Sequence, residues 1–398
     1  MTRVAFWYDY GVVYSGGLNY FRNLLYALSQ IKDKNIEPYV FFGTGVDKKI
    51  IEEFNQYATV IQTSILERKT IPWLIHRVLF RLFGSQFMVN RTLKKHDISV
   101  VSHASMVYGT KRSYRLITWI ADFQYLHLPE LFPGLKVAEK TKSLNNLICN
   151  SDIVVMSSYD ALNDFNKIVR PEFASRGRVL QFVSQPNDSS HTNDQLADRA
   201  YLNNKYGFSG QYFFLPNQFW KHKNHEIIFE AVKLLKEKGK EILIICTGWL
   251  CDPRYKKSEY VSSLLNFIDN NNLQTNIKLL GSIDYVDVLS LLRGSIAVLN
   301  PSRFEGWSSS VEEAKSVGKQ VILSNINVHI EQNPPGGKYF DPDDIIGLSR
   351  ILEDAWDTWQ DTVNPAIELE ASEKLHARTI DFGKKYLDII DELEIQMR

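Results

Sequence analysis

Cysteine is scarce in this chain of 398 residues: Cys149, Cys246 and Cys251 are odd in number and fit no metal spacing. A disulfide framework and a zinc cluster are thereby excluded, and the three read as free thiols of a reducing, cytoplasmic compartment. A dominant charge is also missing, since 46 Lys and Arg meet 46 Asp and Glu. That balance excludes a basic nucleic-acid binder and a self-repelling disordered chain. No stretch of membrane-spanning length is free of charge; the nearest, Ile71 to Val89, is interrupted by Arg77 and Arg81. The first strand is expected to begin at Val4, which leaves no room for a secretory leader. What is present is ordinary globular material, 44% apolar and 23% charged, at a length that points to two domains.

Short β-rich apolar runs alternate with segments of helical period along nearly the whole chain, the pattern of parallel sheets covered on both faces. The class is α/β, with two doubly wound domains facing across a cleft. Strands are expected near 4–8, 39–42, 99–102, 116–121, 153–157 and 179–183, then near 212–215, 242–247, 277–280, 297–300 and 321–324. Residues 185–204 turn polar and carry the boundary. The expected division is 1–190 for the first domain and 205–375 for the second. A C-terminal helix of about 376–398 returns to the first.

The most informative stretch is NPSRFEGWSSSVEEAKSVGK, from Asn300 to Lys319, between two strands of the second domain. Glu305 falls in the loop after the first strand, and Glu313 in the opening turns of a helix expected to start near Ser308 or Ser309. Ser308, Ser309 and Ser310 sit where unpaired backbone N–H groups and the positive end of the helix dipole invite an anion. A diphosphate there would repel neighbouring carboxylates, so both acids make sense as acceptors of bonds from sugar hydroxyls flanking the phosphates. A nucleotide-diphosphate sugar has that shape. Lys223, in the sequence KHKN after the strand 212–215, carries the charge to neutralise a departing diphosphate.

This stretch resembles the signature of retaining glycosyltransferases of family 4, the group 1 glycosyltransferases, whose fold is GT-B. The likeness extends to LPNQFWKHKNHEIIFEAV, GSIDYVDVLSLLRGSIAVLNPSRFEG and GGKYFDPDD. The resemblance implies that Glu313 holds the ribose of the donor and that Glu305 touches the transferred sugar or its leaving phosphate. It adds Gly281, Gly306 and Trp307 to the donor-binding positions. An arginine common six positions before the lysine is Asn217 here, which leaves Lys221 or Arg303 to supply positive charge while Asn217 donates to phosphate oxygens without it. In VAFWYDYGVVYSGGLNYFRNLLYAL, Gly16 and Gly17 would lie in a loop against the donor phosphates and the acceptor, ahead of a helix starting at Leu18. The family's His-Asp pair is Ala121 and Asp122 in LITWIADFQYLHLP. Asp122 is therefore either a catalytic group at the sugars or a structural cap, and His127 is a candidate for the missing histidine's duty. His103, at a strand end, reads as a structural histidine.

Transfer is expected to proceed by attack on the face from which the diphosphate leaves. No cofactor beyond the donor is expected and no metal, because Asp341, Asp343 and Asp344 in FDPDD read as a turn and a helix cap. Two other readings remain: a sugar-nucleotide-binding scaffold without catalysis, and a GT-B epimerase acting on the donor alone. From Arg68 to Arg115 ten basic residues stand against one acid, Asp97. Interleaved with them, PWLIHRVLFRLFGSQFMV suits either a helix lying in a membrane interface or one buried in the domain. By the same resemblance the partners are the nucleotide-sugar donor and a glycan or polyprenyl-diphosphate-linked acceptor. The work would be done in the cytoplasm, at the inner face of the inner membrane.

Overall fold

The structure, a computed structural model, describes residues 1–8, 15–104, 112–132, 136–185, 199–250, 259–358 and 365–395. Cys251 lies outside them, as does most of the polar boundary segment. The chain forms two compact units. The first comprises Met1–Pro129, Gly134–Val183 and Ala377–Arg398, and the second comprises Glu130–Pro133 and Ser184–His376.

The first unit holds a seven-stranded sheet of β1 (Thr2–Trp7), β2 (Ile36–Phe42), β3 (Thr59–Gln62), β4 (Val100–Ala104), β5 (Arg115–Ile120), β6 (Ile153–Met156) and β7 (Gly177–Val179). All pairs are parallel, in the order β3-β2-β1-β4-β5-β6-β7. The central strands are buried on both faces, which is why they read as continuous apolar runs. The helix Pro365–Ile395 runs from the second unit into this one. Within the first unit, Tyr386 donates to Ser102 Oγ at 2.8 Å and Arg178 pairs with Glu392. Gly383 lets this helix lie against the carbonyl of Ala27, where an added Cβ would approach to 3.0 Å.

The second unit repeats the plan with β8 (Phe213–Leu215), β9 (Ile244–Cys246), β10 (Ile277–Leu279), β11 (Val298–Asn300), β12 (Val321–Ser324) and β13 (Lys338–Phe340). Their order is β10-β9-β8-β11-β12-β13, again wholly parallel. Alternate residues face two separate cores. Phe213, Leu215, Ile244, Leu299 and Ile322 pack with the helices His225–Glu237 and Ile345–Thr358. Phe214, Ile245, Val298, Val321 and Leu323 pack on the opposite side with Val311 and Ala314. In both sheets the strand order reverses beside the unit's first strand, the doubly wound arrangement in which ligands bind beyond the carboxyl ends of the strands.

Three differences from the sequence reading share one cause. β3 and β13 were not anticipated, and β7 precedes the segment 179–183. Each of the three stands at a sheet edge, where a strand of three or four residues with mixed burial leaves little periodicity to detect. The first helix also begins earlier, at Ser15, so Gly16 and Gly17 occupy its first turn instead of a preceding loop.

Candidate active site

The second unit's strand reversal lies between β8 and β11, and the loops leaving these two strands carry the acidic and basic residues singled out above. Asn217, two residues past β8, donates its side-chain amide to Asn300 Oδ1 at 3.1 Å. Asn300 ends β11 and is fully buried. Its own amide nitrogen reaches Ser308 Oγ at 2.7 Å, Ser310 Oγ at 3.3 Å and Glu305 Oε1 at 3.5 Å. Its carbonyl oxygen also accepts from the Ser302 backbone N–H at 3.3 Å. Asn300 is therefore a hub that fixes both the loop and the helix start. Nothing in a lone Asn at a strand end announced it.

Glu305 and Lys223 meet here. Lys223 Nζ lies 2.6 Å from Glu305 Oε1, with side chains 14% and 7% exposed. Lys223 stands in a single tight turn, Lys221–Lys223, closed by Asn224 in the left-handed region at φ 54°. Ser302 adds a second donor to the same carboxylate oxygen at 2.6 Å. Burial by itself would raise the Glu305 pKa, but the adjacent Lys223 charge and these hydrogen bonds outweigh it and hold the group at about 2. His329 is also buried nearby, its Nδ1 donating to the Ser324 carbonyl at 2.9 Å, and burial takes its pKa down to about 4.

Glu313 has the opposite environment. It lies in the helix Ser309–Ser316, whose Val311 and Ala314 anchor it in the core. Ser308 occupies the cap position without a side-chain capping bond, because its hydroxyl is engaged by Asn300. The first bond of the helix runs from Glu312 N–H to the Ser308 carbonyl, so the amides of Ser309, Ser310 and Val311 precede the intrahelical ladder. At the other end Gly318, at φ +69°, lets Lys319 N–H return to the Ala314 carbonyl at 2.8 Å, a left-handed stop only glycine makes without strain. Tyr285 donates to Glu313 Oε1 at 2.9 Å. Among the described residues no cation faces this carboxyl, and burial pushes its pKa up to about 7 against the weaker opposing effect of the tyrosine. Two carboxylates eight residues apart are thus pushed in opposite directions from the ordinary carboxylate value, as befits groups with different tasks.

Other expected site residues fall in varied places. Gly306 and Trp307 are half-buried in the loop leading to the helix, and Ser309 is exposed at its start. Gly281, just beyond β10, gives its carbonyl to the Gly248 N–H at 2.9 Å. Gly248 has φ +136°, and an added Cβ would stand 2.5 Å from the Asn217 carbonyl oxygen. A Gly248→Ala variant is therefore expected to lose roughly 2 kcal/mol or more of stability, read as a fall in melting temperature; an unchanged melting temperature would remove the close approach as a constraint. Asn217 directs its amide to Asn300. Arg303 is bound to Asp343 at 2.5 Å, and Lys221 is exposed. Asp341 accepts from the Asp343 amide and Asp344 from the Gly347 amide, so these acids shape a turn and open the helix Ile345–Thr358.

In the first unit, Asp122 accepts the Gln124 amide at 2.9 Å, heading the one-turn helix Gln124–His127. His127 lies 2.5 Å from Asp164, which also binds Lys167. His103 is fully buried at φ 57°, held by Tyr20 Oη and Ser102 Oγ, both at 2.8 Å, and burial lowers its pKa to about 3. Gly16 is exposed and Gly17 buried at the start of the helix Ser15–Ser29.

Two Rossmann-like sheets in one chain, the second with paired acids and an uncapped helix start at its strand reversal, define the GT-B class. Residues 205–385, nearly the whole second unit, match the family described as Glycosyl transferases group 1. The chain is 22% identical over 276 residues to the O-antigen chain mannosyltransferase B of Escherichia coli, a match covering 64% of this chain and 66% of that relative's length. Two solved structures resemble the fold along its full length. One is a glycosyltransferase from Rickettsia africae, at 15% identity, 99% and 97% coverage of the two chains and a TM-score of 0.66. The other is the Anabaena protein HepE in complex with UDP-glucose, at 16% identity, 98% and 100% coverage and a TM-score of 0.69.

Proposed function

We propose that this protein is a retaining, metal-independent glycosyltransferase that moves a sugar from a nucleotide-diphosphate sugar to a hydroxyl of a growing, lipid-linked glycan. The observation that carries this reading is the pairing of oppositely tuned buried acids around one helix start. Glu313, with one oxygen held by Tyr285, accepts the ribose hydroxyls. The amides of Ser309 and Ser310 take the phosphates. Glu305, kept ionised by Lys223, accepts hydroxyls of the transferred sugar. The likeness to an O-antigen chain mannosyltransferase supports a glycan acceptor.

In the reaction, the bond from the anomeric carbon to the diphosphate oxygen breaks, with its electron pair staying on that oxygen. The acceptor hydroxyl attacks from the same face, and its proton passes to the departing diphosphate. Charge grows on the phosphate oxygens, where the Lys223 ammonium and the helix amides stabilise it without reorganising. Lys223 has three N–H bonds and spends one on Glu305, which leaves two for phosphate.

The test is a melting-temperature screen with GDP-, UDP- and dTDP-sugars. A donor present at a hundred times its Kd stabilises by about 2.7 kcal/mol, a shift of several degrees. One base is expected to give it, and a Glu313→Ala variant to lose it. Product analysis with and without acceptor then separates transfer from epimerisation. No shift with any base, or a full shift in Glu313→Ala, would refute the reading.

A further inference from the structure

The helix Ile71–Phe83 turns its apolar stripe outward. Ile71, Leu74, Ile75, Val78 and Leu82 recur at helical spacing on one face, and their exposure runs from 46% for Val78 to 75% for Ile71. His76 faces the other way and is the buried residue of the helix. Phe83 and Phe87, 74% and 60% exposed, extend the apolar surface past its end. This is a finished helix, not a frayed one. Thr70 caps its start through the Trp73 amide, Pro72 fits its first turn, and Gly84 closes it at φ 60°. The next helix, Phe87–Lys95, is pinned to the core by Val89 and Leu93.

The charge around the stripe has one sign. Arg77 and Arg81 flank it and are exposed, as are Arg68, Lys69, Arg91, Lys94 and Lys95. No acid occurs between Glu67 and Asp97. Among the described residues none of these seven cations forms an ion pair. A second copy of the chain would set this basic rim against itself, which disfavours self-association. An anionic bilayer complements both parts: the apolar side chains enter the acyl boundary while the arginines reach the headgroups along their own stems.

We propose that the helix Ile71–Phe83 docks the protein on an anionic phospholipid surface. The docking rests on these residues alone; the lipid-linked acceptor of the proposed reaction gives it a purpose. The experiment floats the full chain with vesicles of phosphatidylcholine, with or without phosphatidylglycerol. Wild type is expected to bind the anionic vesicles and to lose roughly tenfold or more in binding when phosphatidylglycerol is omitted or salt is raised. The Leu74→Glu, Val78→Glu double variant should lose at least about tenfold on anionic vesicles with its melting temperature unchanged, because both side chains are already exposed. Arg77→Gln, Arg81→Gln should weaken the anionic preference specifically.

Absence of wild-type binding, or equal binding by the Leu74→Glu, Val78→Glu protein, overturns the proposal. So does a wild-type dimer that this variant dissolves while vesicles capture neither protein. Donor-induced stabilisation should persist in the variant. Vesicle binding without any donor response would count against the proposed reaction and leave the docking intact.

Discussion

A Lys223→Met variant is expected to lose about 100-fold or more in transfer rate and about 3 to 5 kcal/mol in stability at neutral pH. The first figure is the usual consequence of removing a preorganised group from a developing oxyanion. The second follows from stranding a buried charge, since Glu305 keeps its Ser302 and Asn300 donors but loses the ammonium paired with it. The sign of the pH dependence is fixed by the depressed pKa. In wild type Glu305 ionises at about 2 instead of 4.5, so its ionised form contributes stability above pH 4.5 that is lost as pH falls through 2. Without Lys223 the burial cost is no longer overcome, the Glu305 pKa rises, and the variant should regain stability on acidification toward pH 5. Adding Glu305→Gln should restore the neutral-pH melting temperature and leave transfer as low as before. If Lys223→Met melts like wild type, the pair contributes no net stability. If it also transfers at the wild-type rate, the ammonium is not at the leaving group.

The sequence carried the strand and helix alternation, the two acids and the lysine, because each is written in local order: a strand end, a loop acid, a serine run and a helix. It did not carry Asn300 as a hub or Tyr285 as the partner of Glu313. Both depend on which strands and helices become neighbours. Asn217 meets Asn300 because β8 and β11 pair although they are 83 residues apart in the chain, and no spacing encodes that. Nor did residue type distinguish the two acids. Glu305 and Glu313 differ by a neighbouring ammonium, and only packing decides which of them has it. The orientation of the helix Ile71–Phe83 was open for the same reason. Its stripe pattern is that of a core helix, and the fold presents that stripe to solvent.

Glu313→Gln is expected to make the protein more stable and unable to hold its donor. Burial without a facing cation raises the pKa from 4.5 to about 7, so the folded protein retains a proton that the unfolded chain has released. Stability therefore falls as pH rises between those values. At 1.36 kcal/mol per unit this difference amounts to about 3 kcal/mol above pH 7, the cost of an ionised carboxylate kept out of water. Glutamine removes that cost while still accepting the Tyr285 hydrogen bond, so the variant should melt higher than wild type at pH 8 and alike near pH 4. A ribose diol needs the ionised form, whose two oxygens only accept. Donor binding in wild type should consequently weaken about tenfold for each pH unit below 7, and in Glu313→Gln it should be weak and nearly independent of pH. Calorimetric titration of the donor across pH 5 to 8 measures both slopes. Tight, pH-independent binding by wild type would show that the buried carboxylate is not the group that takes the ribose, whereas a stability gain paired with lost affinity would identify it as strain maintained for the ligand.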